Sequence, residues 1–187
     1  MKTHHLLLAL VLTGAAPGAA QQKIMPSEKV LSPEQEQAQK GIMLLRDSVL
    51  AAQSALRQLE RDYQQAAPRT LESRAREIAD RCAGAQRTVP VARALVSAPE
   101  FVQREMVKGQ QDMIKAIDRT NATLGDCQTT FAPLAADGKG EEVRAYGNRR
   151  AQPLRKDLER YDQAVHQAAQ ALDLDVRTLT KAGKAPV

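Results

Sequence analysis

The chain has 187 residues, 27 basic and 22 acidic side chains, two cysteines, no tryptophan, two phenylalanines and three tyrosines. So aromatic-poor a composition argues against a β-sandwich or α/β core, which needs aromatic and β-branched bulk, and for long helices packed through Leu, Ile, Val and Ala. The formal net charge of +5 is mildly basic.

Residues 1–20, MKTHHLLLALVLTGAAPGAA, read as a secretory signal peptide. Lys2, His4 and His5 make a short basic region, Leu6 to Leu12 an apolar run, and Gly18-Ala19-Ala20 a small-residue cleavage site. Gly14, Pro17 and Gly18 interrupt the apolar run, which falls short of the about 20 residues a spanning helix needs. Cleavage after Ala20 leaves 167 residues with 26 basic and 22 acidic side chains, the size of one domain. The expected location is periplasmic or secreted, with no transmembrane anchor after signal cleavage. Residues 21–31 have no usable period and read as a flexible leader.

At Ser32 the pattern changes. Ser32-Pro33-Glu34-Gln35 is a capping box with proline at the first helical position. Ala38, Ile42, Leu45, Val49, Ala52, Leu56, Leu59, Tyr63 and Ala66 then recur at alternating spacings of four and three, a heptad seam that stops near Pro68. A second seam follows at Leu71, Ala75, Ile78, Cys82, Ala85 and Val89. Glu72 and Arg76, then Glu77 and Arg81, stand at the i,i+4 spacing of a solvated helix face. Pro90 is expected to kink or end this helix. Val91 to Ala98 is apolar and ambiguous, and Ser97-Ala98-Pro99-Glu100 looks like a new helix start.

The third seam is Met106, Gln110, Met113, Ile117, Thr120, Leu124, Cys127, Phe131 and Leu134, with Gly109 weakening its early part. Asp137-Gly138-Lys139-Gly140 marks a turn. The fourth runs through Gly147, Ala151, Leu154, Leu158, Tyr161, Val165, Ala168 and Leu172, shifting to Val176 and Leu179. Pro153 predicts a kink near Ala151 or a helix restart. Residues 181–187 read as a disordered tail. The fold expected is all-α: an elongated antiparallel bundle of about four long heptad-patterned helices, one domain over residues 32–180.

The two thiols both occupy seams. The Cys-x-x-Cys-His of a c-type haem is absent. A structural zinc site needs about four Cys or His ligands, whereas the mature chain holds two cysteines and one histidine, His166. Pairing in a disulfide is the expectation for an exported chain, beside free buried thiols and functional thiols. Counted from the turn near Arg69 and the turn near Asp137, Cys82 and Cys127 differ in height by about 4–8 Å at about 1.5 Å per residue. That offset is within reach of a disulfide. Counted through the other connection, the third helix overhangs the second by about 20 Å at the same rise. Residues 91–109 must then project past the bundle, fold over its end, or break at Gly109.

A haem-binding bundle would need His166 with a methionine such as Met43, Met106 or Met113 across the core; core filling is the ordinary role of such methionines. No Glu-x-x-His pair, nucleophile elbow, P-loop or dinucleotide glycine pattern occurs, so no catalytic residue, metal or cofactor is assigned and an enzyme is not expected. One charge feature rises above background: Arg144, Arg149, Arg150, Arg155, Lys156 and Arg160, with two acids among them, surround Pro153. They read either as a patch for an anionic envelope surface or acidic partner, or as a helix face neutralised by acids on neighbouring helices. Nucleic acid is a poor candidate, since only Tyr146 and Tyr161 lie nearby to stack bases. Ala38, Ala52, Gln110 and Thr120 are small or polar for seam positions, which suggests incomplete burial in the monomer and self-association. The function expected is a non-enzymatic helical interaction protein of the cell envelope, binding another protein or its own copy; the alternative is a bundle that binds a small ligand, metal or haem.

Overall fold

A computed structural model describes residues 29–175. The expected signal peptide, most of the expected leader, Val176, Leu179 and the expected tail lie outside the described residues. Within them the chain forms α1 (Pro33–Asp62), α2 (Pro68–Ser97), α3 (Arg104–Phe131), a 3₁₀ turn (Pro133–Ala135), the short α4 (Gly140–Glu142), a π turn (Val143–Gly147) and α5 (Asn148–Ala171). The four long helices run up-down-up-down. α1 packs on α2 and α5, and α3 packs on the same two, so α1 and α3 are diagonal. This is an antiparallel four-helix bundle, and no strand is present among the described residues.

The heptad positions form the core. Ile42, Leu45, Leu56, Leu59, Leu71, Ile78, Ile117, Leu124, Phe131 and Leu158 are fully buried, and Tyr161 nearly so. The expectation of incomplete burial is corrected: Ala38, Ala52 and Thr120 are buried too. Small side chains here let neighbouring helices approach, so these positions complete the monomer's own packing. Half-buried Gln110 has an internal role as well, its Nε2 donating to the carbonyls of Val96 and Pro99, both at 2.8 Å.

The predicted capping box forms at Ser32. The Gln35 amide donates to the Ser32 hydroxyl at 3.2 Å, and the Ser32 amide donates to Gln35 Oε1 at 2.8 Å. Gln35 also reaches across the bundle, its Nε2 donating to the Leu172 carbonyl at 2.9 Å.

Neither interior proline breaks its helix. α2 runs through Pro90 to Ser97, and α5 runs through Pro153 from Asn148. Both prolines are exposed, so ring and freed carbonyl face solvent rather than the core. The irregularity of the fourth segment falls one turn earlier, in the π turn that accepts an Asn148 to Val143 hydrogen bond. Ser97-Ala98-Pro99-Glu100 is a helix end, not a start. Residues 98–103 are non-helical, Pro99 is buried, and Phe101 packs on the core.

That segment resolves the overhang. From the paired cysteines outward, α3 is longer than α2 by about eight residues, about 12 Å. Gln110 caps the end of α2, so the first turn and a half of α3 extends beyond it, and residues 98–103 fold over the bundle end to reach it. α3 does not break at Gly109. A Cβ there would lie 2.5 Å from the Ala171 Cβ, so glycine permits close contact with the end of α5.

The other bundle end is closed by backbone contact. A Cβ on Gly140 would lie 2.5 Å from Pro68 Cα. The Gly140 amide donates to buried Glu72 Oε1 at 3.1 Å. The i,i+4 pairs expected on α2 therefore do not form: Glu72 reaches Gly140, Arg76 donates to the Ala135 carbonyl at 3.0 Å, and Glu77 pairs with Arg74 at 3.1 Å. For Glu72 and Arg76 tertiary partners replace the local ones because this stretch of α2 faces the turn between α3 and α4. At the C-terminus, Asp173 takes φ 53° and the Leu174 amide bonds back to the Ala169 carbonyl at 2.8 Å, a left-handed helix cap that turns Leu174 into the core.

Candidate functional site

Cys82 and Cys127 form a disulfide with Cα atoms 6.1 Å apart, and both are fully buried. The heights read from the two turns thus agree with the pairing. Sealed in the core, the bond joins α2 to α3 and leaves no free thiol among the described residues.

The six-residue basic patch divides. Arg144 turns inward across the end of α1: its Nη1 donates to the carbonyls of Tyr63 and Gln64, its Nη2 to Ala66 at 2.8 Å, and its Nε to Glu141 at 3.1 Å. These carbonyls are otherwise without helical partners, and the planar guanidinium fork suits them. Arg155 Nε bridges both Glu60 oxygens at 2.9 and 3.1 Å, and its Nη1 lies 2.5 Å from Glu159. Those hydrogen bonds, Glu60 first, raise the Arg155 pKa against the opposing effect of desolvation. Arg149 bonds the Ala145 carbonyl of its own turn, and Arg160 pairs with Asp157 at 2.8 Å. Arg150 and Lys156 are exposed, with no ion pair among the described residues. The patch is in part a set of internal ties, two of whose members sequence spacing cannot distinguish from surface charges.

His166 is half exposed with Nε2 3.7 Å from Asp162. It lies at the surface rather than opposite Met113, which is buried in the core. Asp162 also accepts from Arg46 Nε at 2.8 Å, and Arg46 is almost wholly buried. Next to it, the Tyr161 hydroxyl donates to the Ile42 carbonyl at 3.2 Å, and burial pushes that phenol's pKa up strongly. Among the described residues no cluster of three or more His, Cys, Asp and Glu side chains gathers to hold a metal, and no helix is long and apolar enough to cross a membrane.

The clefts lie between helices at the surface. One, about 760 Å³ between α1 and α2, is lined by Asp47, Glu77 and Asp80 together with Arg76, Arg81 and Arg87, a balanced set of charges. A second, about 450 Å³, lies between α3 and α5 and is lined by Arg119, Thr120, Thr123, Arg160, Gln163 and Gln167 above Tyr161, Ala116 and Ala164, with Asp157 at its edge. It continues past Ala164 and Gln167 into a cleft of about 330 Å³ beside Gly109 and Ala171. Sequence reading missed this site. The available signal was Thr120, a hydroxyl on a seam whose one other polar side chain is Gln110.

The fold and these features define an antiparallel four-helix bundle with one internal disulfide and shallow, polar-lined interhelical clefts. Compared with known proteins, the chain matches no family model, no curated protein and no solved structure.

Proposed function

We propose that this chain is an exported, non-enzymatic interaction protein of the cell envelope, periplasmic or secreted, that works through its long helical faces. The observation that carries the reading is the fate of its reactive residue types. Both thiols are locked in the buried disulfide, and the lone histidine of the mature chain is a surface neighbour of Asp162. The clefts that remain are open grooves between helices, the geometry that receives another helix or an extended segment. Export is supported by the amino-terminal pattern and by the disulfide, which persists in oxidising compartments.

In-cell cross-linking followed by affinity capture from the native host tests the reading. The expected result is a discrete protein partner or a cross-linked second copy. A strictly monomeric species with no captured partner counts against it. Mass spectrometry of the exported chain is expected to show an amino terminus at Gln21 and the mass of a paired dithiol.

A further inference from the structure

Helix α5 sorts its charges. Its acids turn toward neighbouring side chains: Asp162 takes Arg46 at 2.8 Å, Glu159 takes Arg57 at 2.9 Å, and Asp157 takes Arg160 at 2.8 Å. All three acids are partly buried, whereas every exposed ionisable side chain of α5 is basic: Arg149, Arg150, Lys156, Arg160 and His166. The other long helices do not sort in this way. Among their exposed charges α1 mixes Asp47 with Lys40, α2 mixes Asp80 with Arg81, and α3 mixes Asp112 with Lys115.

Tyr146, Arg149, Arg150, Pro153, Lys156 and Arg160 follow one another at helical spacing along a single outward side, and all are exposed, Tyr146 by 47%. From Tyr146 to Arg160 the row is about 21 Å long. The acids just before it are neutralised, Glu142 by Lys139 at 2.6 Å and Glu141 by Arg144 at 3.1 Å. On the flanks α1 adds exposed Arg57 and Arg61, and α3 adds Arg119 and Asp126. Positive charge therefore stays in excess across the whole face.

The shape of the face selects among anionic partners. Tyr146, Arg149, Arg150 and Lys156 line none of the clefts described above. A folded acidic protein is held by charges matched pair by pair within a fitted patch. A convex row of one sign, with no recess to fix register, suits a flat surface whose negative charges move laterally, as anionic lipids do. The exposed Tyr146 ring is amphipathic and of the kind that settles at headgroup level. No described helix is long and apolar enough to cross a membrane, so such contact is peripheral and weakened by salt.

We propose that the outward face of α5 docks the chain on an anionic phospholipid surface, with Arg149, Arg150, Lys156 and Arg160 toward the headgroup phosphates and Tyr146 at headgroup level. This goes beyond the interaction reading, which concerns protein partners, and stands apart from it. Co-sedimentation with mixed phosphatidylglycerol–phosphatidylcholine vesicles is the test, with pure phosphatidylcholine vesicles as control. The chain is expected to bind the anionic vesicles alone and to be released as salt rises. Arg150→Glu/Lys156→Glu is expected to weaken binding at least about tenfold. Arg81→Glu/Arg87→Glu makes the same charge change on exposed residues of α2 and is expected to weaken it far less. Tyr146→Trp introduces the chain's sole tryptophan, whose emission is expected to shift to the blue on the anionic vesicles.

Equal loss in the two double variants overturns the face, because net charge alone then accounts for binding. Sedimentation without a blue shift from Tyr146→Trp also overturns it, since another face then meets the membrane. So does release from the vesicles by inorganic phosphate at constant ionic strength. Stronger capture by immobilised polyglutamate than by the anionic vesicles, at matched salt, overturns it in favour of an acidic protein. Partner capture by cross-linking is a separate measurement, so the interaction reading stands or falls independently of these results.

Discussion

The α2–α3 seam and the α1–α5 seam both close the bundle, but different physics holds them. Across α2 and α3 the buried tie is covalent and apolar, the Cys82–Cys127 bond among Ile78, Ala85 and Leu124, with polar links confined to the exposed Arg93–Asp118 pair at 2.8 Å and the Gln110 cap. Across α1 and α5 the ties are polar and many. Gln39 Oε1 accepts from the Asp175 amide at 3.1 Å, Arg46 meets Asp162, Arg57 meets Glu159, Glu60 meets Arg155, and Arg144 caps the end of α1. Gln39, Arg46, Gln53 and Glu60 repeat every seven residues, one position after the seam residues Ala38, Leu45, Ala52 and Leu59. The covalent seam acts chiefly by restricting the unfolded chain and is indifferent to register elsewhere. The polar seam is a register device: sliding α5 by one turn would misalign each of these pairs at once. A chain whose first and last helices are separated by residues 63–147 has no short loop to set that register.

Breaking the covalent seam is expected to have the largest effect. In the chain-entropy account, releasing a loop with 45 residues between its ends costs about 3–4 kcal/mol. For Cys82→Ala/Cys127→Ala that corresponds to a thermal midpoint lower by roughly 10 °C, with helical circular dichroism retained at low temperature. An unchanged midpoint would show that the seam does not depend on the bond.

On the polar seam, Asp162→Asn leaves the nearly buried Arg46 guanidinium facing a neutral amide. The expected cost is about 2 kcal/mol, between the values for surface and buried pairs, read from urea midpoints at neutral pH. A change within error would show the ladder to be decoration rather than register. Arg144→Lys tests the α1 cap: a point charge cannot fork onto three carbonyls, and about 1 kcal/mol is expected to go. Faster amide exchange confined to residues 63–67 is the local signature.

Gln53 sharpens the contrast in the opposite direction. It is 2% exposed and its Nε2 makes no hydrogen bond among the described residues. Gln53→Met is therefore expected to stabilise the chain by about 1 kcal/mol, whereas the same exchange at Arg46 or Glu60 should destabilise it.

The smallest effects are in pH dependence. Hydrogen bonds from Arg57 and then Arg155 hold the Glu159 carboxyl below the ordinary carboxylate range. Its contribution is thus full at neutral pH and is lost as pH falls through its folded value. Glu159→Gln should flatten the acid limb of the stability curve slightly. Tyr161 works at the other extreme: burial raises its pKa, so the unfolded chain ionises first and stability falls as pH climbs above about 10. With no tryptophan and three tyrosines in the chain, phenolate absorbance should show the buried Tyr161 phenol ionising only as the chain unfolds.

Much of this architecture was legible in residue spacing, because a heptad seam states which face is buried and two cysteines on facing seams state their own height. Less legible was everything that depends on where a helix points its flanks. Arg144 and Arg155 look in sequence like Arg149 and Arg150, yet the first two face α1 and the last two face outward. Glu72 looked paired with Arg76 until the turn carrying Gly140 arrived beside it. The prolines misled because their cost depends on whether the missing hydrogen bond faces water. At the candidate site, Thr120 was visible as a polar seam residue, but its neighbour across the cleft, Arg160, lies 40 residues away in sequence.

By itself, then, the sequence determined the helical class, the four seams and the first helix cap, since each depends on periodicity or on local chemistry within a turn or two, and it made the pairing of Cys82 with Cys127 the expectation that the structure met. Only the tertiary structure decided which charges tie the bundle internally, how residues 98–103 cross its end, and that Arg119 and Thr120 share an open cleft. Those outcomes depend on which helix lies beside which and at what rotation, and that is set by packing four seams together at once.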